Sequence, residues 1–323
     1  MDIFISLISI VLGLVLLTFG GNVLVDGAVS IAKKFGISEA IIGLTIVAIG
    51  TSMPELIVSV LASIGGNPEI AIGNVLGSNI ANIFFILGLS ACIAPIALSR
   101  TTRFFDLPVL IIVTLLFLVL VSDVLLDGGS MNVIGRIDGM ILMAVALAYI
   151  LYSVKHNNFV PDESEVVENI ASPWKATLWI FSGIAVLFIG GKILVDGAVD
   201  IAKLFGLSEA IIGLTIVAIG TSMPELATSI IAARRGNADI AVGNVVGSNV
   251  MNILVILGIS SFIAPLPFAD SSYVDLMVGL LGPIVLLLLS LVWTRNSIGK
   301  KDGTILMAIY FIYLAYLVSL EMM

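Results

Sequence analysis

Apolar runs of roughly twenty residues, the length a bilayer requires of a helix, alternate with short polar breaks along the whole chain. Ten can be marked, at 3–32, 39–64, 69–96, 104–122, 135–154, 174–202, 209–232, 239–265, 272–294 and 303–320. Each predicts a membrane-spanning helix. The first and sixth are longer than a bilayer needs, which predicts strong tilt or amphipathic ends near Lys33, Lys34 and Lys203. The longest polar stretch follows the fifth run and carries Asp162, Glu163, Glu165 and Glu168, so it reads as a solvated linker.

The runs are not independent. Residues Ser38 to Leu56 read SEAIIGLTIVAIGTSMPEL, and Ser208 to Leu226 repeat the same letters. At the same offset, Gly20-Gly21 pairs with Gly190-Gly191, Val25-Asp26-Gly27 with Val195-Asp196-Gly197, and Gly77-Ser78-Asn79 with Gly247-Ser248-Asn249. The chain therefore divides into a first repeat (1–154, core block 38–90), a linker (155–173) and a second repeat (174–323, core block 208–260). Five spans per repeat is an odd number, so the second repeat should enter the membrane inverted.

Charge agrees with inversion. With the N-terminus outside, the inner loops hold Lys33, Lys34, Arg100, Arg103, Lys155, Lys175, Arg234, Arg235, Arg295, Lys300 and Lys301, most of the 14 basic residues. The positive-inside rule then predicts both termini outside and an acidic linker in the cytoplasm. The expected fold is an all-α polytopic membrane protein: ten transmembrane helices as two inverted five-helix repeats, with broken helices at mid-membrane.

The break comes from Gly-Thr-Ser-Met-Pro-Glu in each copy. Pro54 and Pro224 have no N–H and crowd the preceding turn, so each helix should break there. Carbonyls at Ala48 to Thr51 and at Ala218 to Thr221 should lose helical partners, which is tolerated at membrane depth only inside protein or at a watered cavity. Such oxygens are hard ligands suited to Na⁺ and Ca²⁺. Thr51 or Ser52, and Thr221 or Ser222, can cap the half-helix that follows. Glu55 and Glu225 then sit in its first turn, where the helix dipole favours an anion. A packing kink is the plain alternative for the prolines. A carboxylate beside each break, twice over, favours an ion site, because an unpaired charge in hydrocarbon is expensive.

The next run of each repeat adds neutral oxygens. Asn74, Ser78 and Asn82 recur at i, i+4 and i+8 on one helix face, as do Asn244, Ser248 and Asn252. Ser78, Asn82, Ser248 and Asn252 are candidate neutral ion ligands, with interhelical hydrogen bonding as the alternative. Gly73 and Gly77, and Gly243 and Gly247, read as close-packing positions. Asp26 and Asp196 suit structural or gating roles, and Lys192 can bridge Asp196 four residues on.

Composition removes other classes. The chain is 59% hydrophobic and 11% charged, with mean hydropathy +1.21, against about 25% charged residues in soluble domains. A net charge of −8 argues against nucleic-acid binding. A lone Cys92 and a lone His156 leave no cysteine or histidine metal site and no histidine-based hydrolase. No cleavable signal is evident at the N-terminus, no enzyme activity and no cofactor are expected, and no obligatory protein partner is evident. A channel is disfavoured by broken helices that meet at a closed midplane.

These two blocks resemble the α-repeats of the cation/calcium exchanger superfamily, most closely the prokaryotic sodium/calcium exchanger-like proteins. The likeness covers nearly the whole chain. It implies a core of eight helices across which the long first and sixth spans slide, with Ca²⁺ and Na⁺ exchanged at mid-membrane. Glu55 and Glu225 would be the central Ca²⁺ ligands, completed by the Thr51 and Thr221 carbonyls. The Ala48 and Ala218 carbonyls, with Ser52, Ser78, Ser222 and Ser248, would build flanking Na⁺ sites, and Asn82 and Asn252 would line the central one. Many relatives carry Asp at one of the last two positions. This chain has Asn at both, which disfavours K⁺ co-transport. The resemblance implies a secondary-active Na⁺/Ca²⁺ antiporter in a prokaryotic plasma (inner) membrane. A proton/calcium exchanger using the same glutamates is the alternative.

Overall fold

The computed structural model describes residues 3–36, 39–126, 131–156, 171–204, 218–293 and 297–321. Most of the acidic linker, residues 209–217 of the seventh run, and Arg295 lie outside them.

In the first repeat, α1 (Ile3–Phe35) leads to α2, which runs through Glu39–Ile42, a π-helical turn Gly43–Val47 and Ala48–Thr51. After a 53° bend comes α3 (Met53–Ile64). Next are α4 (Pro68–Ile93), β1 (Ile96–Ala97), α5 (Thr102–Leu120), α6 (Asp123–Leu126), β2 (Val133–Ile134) and α7 (Arg136–His156). The second repeat supplies α8 (Pro173–Leu204), α9 (Ala218–Thr221), α10 (Met223–Arg234) and α11 (Ala238–Ile263). It ends with β3 (Leu266–Pro267), α12 (272–293), β4 (Ser297–Ile298) and α13 (Lys300–Glu321). Among the described residues, eight helices are long and apolar enough to cross a membrane, and the bent pair 43–64 makes a ninth. The seventh expected span is described only from residue 218.

Two helices form the centre. In α4 and α11, 72% and 94% of the most apolar stretch is buried, against 22–33% in the other long helices. The outer helices turn large apolar side chains outward, including Phe4, Phe19, Phe181 and Ile312, as a lipid-facing surface requires. Both central helices contain a π-turn at the same place, Ala81–Leu87 in α4 and Asn252–Leu257 in α11. Hydrophobic periodicity did not foretell these turns, which recur at functional sites.

The equivalent helices α1 and α8 pack on each other antiparallel. Gly13 meets Gly190, Gly20 meets Gly183 and Gly27 meets Ala176, so residue numbers rise along one helix as they fall along the other. Glycine recurs every seventh residue on both, at 13, 20, 27 and at 183, 190, 197. A Cβ on Gly13 would stand 2.8 Å from the Gly190 carbonyl oxygen and one on Gly183 2.9 Å from that of Gly20, so the backbones are in direct contact.

The repeats also exchange short strands, a departure from the all-α expectation. β1 pairs with β4 (Ile96 opposite Ile298), and β2 pairs with β3 (Ile134 opposite Leu266), all antiparallel. Each pairing ties a loop of one repeat to a loop of the other. The final helix of each repeat starts in the same way: Asp138 accepts from the Gly135 N–H at 2.7 Å, and Asp302 from the Gly299 N–H at 2.9 Å. Each carboxylate satisfies one of the donors that a helix start leaves free. Asp138→Ala and Asp302→Ala should each lower stability by about 0.5–2 kcal/mol. The midpoint of thermal unfolding in detergent reads this directly, and an unchanged midpoint contradicts it.

Outside the core, Lys192 bonds Asp196 at 3.0 Å, as the spacing predicts. Asp26 takes a different partner: Arg235, at the end of α10, donates to both Asp26 and Asn22 of α1.

Candidate functional site: a buried oxygen cluster between the repeats

Glu55 and Glu225 are each about 1% exposed, and both start the half-helix that follows a break. The shortest hydrogen bonds to their side chains cross between repeats. Ser52 donates to Glu225 Oε1 at 2.9 Å, and Ser222 donates to Glu55 Oε1 at 3.2 Å. Ser78 also donates to Glu55 Oε1, at 3.5 Å, and Ser222 lies 3.3 Å from Ser78. Each carboxylate is thus held by a serine from the opposite broken helix.

This corrects the expectation for the serines. Ser52 and Ser222 stand at the N-cap positions, but neither side chain caps its helix. A cap needs only the local backbone, whereas a buried carboxylate is the stronger acceptor and takes the hydroxyl instead. The Ala48 carbonyl is corrected as well. It keeps a helical partner, accepting from the Ser52 N–H at 3.0 Å, and also accepts from Thr51 Oγ1 at 3.3 Å and Ser248 Oγ at 3.5 Å. Gly50 is the residue whose carbonyl Pro54, lacking an N–H, cannot serve.

Behind the carboxylates, Asn74 donates to the Glu55 backbone carbonyl at 3.2 Å and to Ser59 at 3.0 Å. Asn244 repeats both contacts with Glu225 and Ser229 at the same distances. Thr51 donates to Asn244 Oδ1 at 3.0 Å, and Thr221 lies beside Glu55. Ser59 and Ser229 were not singled out from sequence; the repeat offset was the available signal. Asn82 and Asn252 are buried in the same layer and bond to Asn249 and Asn79 of the opposite repeat. Of the sequence-expected set, only the Ala218 side chain is outside the described residues.

Four side-chain oxygens stand out. Glu55 Oε2, Glu225 Oε2, Asn82 Oδ1 and Asn252 Oδ1 are buried and have no hydrogen-bond partner among the described residues. All four can only accept. Two buried carboxylates met by side-chain hydroxyls remain short of positive charge, because neutral donors do not balance two negative charges in a low dielectric. Chemically, such a cluster takes up a hard cation or protons.

A cavity of about 190 Å³ reaches this layer from one side, lined among others by Pro54, Thr221, Pro224, Phe188, Lys192 and Asp196. On the opposite side of the layer, Arg235 bonds Asn22 and Asp26.

Known proteins resemble this chain along nearly its whole length. Residues 5–155 and 175–319 match the family described as sodium/calcium exchanger protein. Inner membrane protein YrbG of Escherichia coli (strain K12) is 36% identical over 319 residues, covering 95% of both chains. Sodium/calcium exchanger MaX1 of Methanosarcina acetivorans is 32% identical, covering 97% of this chain and 98% of its own length. A solved structure of the sodium-calcium exchanger NCX_Mj superposes with TM-score 0.82 at 33% identity, covering 97% of this chain and 99% of that one. Matched across both halves, and with spans to cross a bilayer, this chain belongs to the sodium/calcium exchanger family and is an integral-membrane cation/calcium exchanger.

Proposed function

We propose that the protein exchanges Na⁺ for Ca²⁺ at a single site built from both repeats, expelling Ca²⁺ on the inward Na⁺ gradient. The observation that carries this is the crossed pair of bonds, Ser52 to Glu225 and Ser222 to Glu55, which makes the two carboxylates one cluster. Glu55 and Glu225 supply the two charges that one Ca²⁺ balances, with the Thr51 and Thr221 carbonyls completing its shell. The Ala48 and Ala218 carbonyls, with Ser52, Ser78, Ser222 and Ser248, serve Na⁺ at the flanks, and Asn82 and Asn252 serve it at the centre. Na⁺ and Ca²⁺ compete for these oxygens, so each ion leaves only as the other enters. If about three Na⁺ replace one Ca²⁺, one net charge crosses per cycle and the membrane potential adds roughly 2.3 kcal/mol per 100 mV.

The architecture belongs to the same reading: ten spans in two inverted repeats (1–154 and 174–323), both termini outside and the 155–173 linker in the cytoplasm. The antiparallel packing of the equivalent helices α1 and α8 supports inversion. The cavity beside Lys192 and Asp196 is then the outer route to the site, and the Arg235 contact with Asn22 and Asp26 closes the inner one. Sliding of the α1–α8 pair across the core exchanges the two.

Two buried carboxylates also neutralise by taking protons, so proton/calcium exchange is the second reading. Calcium-45 flux into proteoliposomes under separate Na⁺, K⁺ and pH gradients decides. Na⁺-gradient-dependent Ca²⁺ movement, indifferent to K⁺, is expected. Movement driven only by a pH gradient in Na⁺-free buffer would assign the proton reading.

A further inference from the structure

Asn79 and Asn249, one residue beyond Ser78 and Ser248, are buried and face each other across the repeat boundary. Asn79 Nδ2 donates to the Asn249 backbone carbonyl at 3.2 Å, and Asn249 Nδ2 donates to that of Asn79 at 3.0 Å. A backbone carbonyl only accepts, so these bonds fix which way each amide points: nitrogen to the carbonyl, oxygen away. The oxygens are then committed. Asn249 Oδ1 accepts from Asn82 Nδ2, and Asn79 Oδ1 accepts from Asn252 Nδ2, both at 2.9 Å.

The constraint passes one step further. Turning Asn82 about would set its oxygen against the oxygen of Asn249, and turning Asn252 would do the same against Asn79. Both must keep nitrogen toward the opposite repeat, and their remaining oxygens are the bare Asn82 Oδ1 and Asn252 Oδ1. An amide turned the other way would offer a donor there, which repels a cation.

Resting on the Na⁺/Ca²⁺ reading above, we propose that Asn79 and Asn249 are positioning residues. They lock the amides of Asn252 and Asn82 so that oxygen, not nitrogen, meets the transported Na⁺. Their effect on transport passes through Asn252 and Asn82 and falls on Na⁺ more than on Ca²⁺, which the carboxylates hold.

The test is a double-mutant cycle on the full-length protein in proteoliposomes, reading half-saturation for Na⁺ and for Ca²⁺ separately. Asn79→Ala is expected to raise the Na⁺ concentration for half-maximal exchange roughly tenfold, the loss of one contact to a charged group. Ca²⁺ half-saturation should stay within about twofold of wild type, inside the same scale. Asn252→Ala should match it, and the double variant should be no worse than Asn252→Ala alone, because the two act in series. Asn249→Ala with Asn82→Ala should repeat the pattern. If Asn79→Ala does not fold, Asn79→Ser is read by the same criteria, since its hydroxyl can bond the carbonyl four residues back. Additive penalties, equal loss for both ions, or wild-type Na⁺ dependence would overturn the lock while leaving the exchange reading intact. Wild-type vesicles without Na⁺-driven flux would overturn both.

Discussion

Replacing Glu55 or Glu225 with glutamine should abolish calcium exchange and leave the protein folded. Glutamine keeps the shape and a carbonyl oxygen for the crossed serine bond, so only charge is lost. With one carboxylate the cluster balances half the charge of Ca²⁺, and an uncompensated charge at about 1% exposure costs several kcal/mol. Since about 1.4 kcal/mol is tenfold in an equilibrium constant, Ca²⁺ flux should fall more than ~100-fold in either variant. Folding should not suffer, because each change removes a buried charge that no basic side chain pairs among the described hydrogen bonds. Thermal unfolding without Ca²⁺ should match or exceed wild type. Retained Ca²⁺ flux in both variants would remove the two glutamates from the site.

The second large effect is expected at Gly247. A Cβ there would lie 2.7 Å from both Cα and the carbonyl oxygen of Leu44 and 2.9 Å from the Ala48 Cβ. These contacts are mostly backbone, which cannot turn aside as a flexible side chain does. The obstruction strikes the first limb of the broken helix, next to the Ser248 contact with the Ala48 carbonyl. Gly247→Val must push α2 off α11 and carry Thr51 and Ser52 away from Asn244 and Glu225. Overpacking of this kind costs about 1–3 kcal/mol in stability. Exchange should fall at least tenfold, because displaced ligands lose their fit by roughly 1.4 kcal/mol or more. Size-exclusion profiles and flux measured together check it; a folded variant with wild-type flux would show that the contact between α2 and α11 is slack.

Much of this fold is legible in the sequence, because a bilayer forces a crude code. Each span must be apolar for about twenty residues, so the long helices fall where the hydrophobic runs lie. The repeat offset then marked Glu55 and Glu225, Ser52, Ser78, Ser222 and Ser248, and Asn82 and Asn252 as matched candidates, and the structure buries all eight side chains. What escaped the sequence depends on partners more than half the chain away. Ser52 looks like a helix cap because its neighbours ask for one; only the approach of Glu225 redirects it. Asn79 and Asn249 sit in a recognisable Gly-Ser-Asn, yet nothing local says that each amide reaches the other's backbone. The π-turns are silent for another reason: apolar residues all round a buried helix leave no face by which four-residue and five-residue bonding can be told apart. The glycine seam of α1 and α8 was the missed signal, since its seven-residue spacing is written plainly on both helices.

The central claim is that both repeats build one site for which Ca²⁺ and Na⁺ compete. Equilibrium binding of calcium-45 to the purified protein, titrated with Na⁺, tests it most directly. The account predicts one Ca²⁺ per chain, displaced by Na⁺ more steeply than by a single competing ion, and lost in Glu55→Gln and in Glu225→Gln alike. Ca²⁺ binding that ignores Na⁺, or that survives either substitution at wild-type strength, would contradict it.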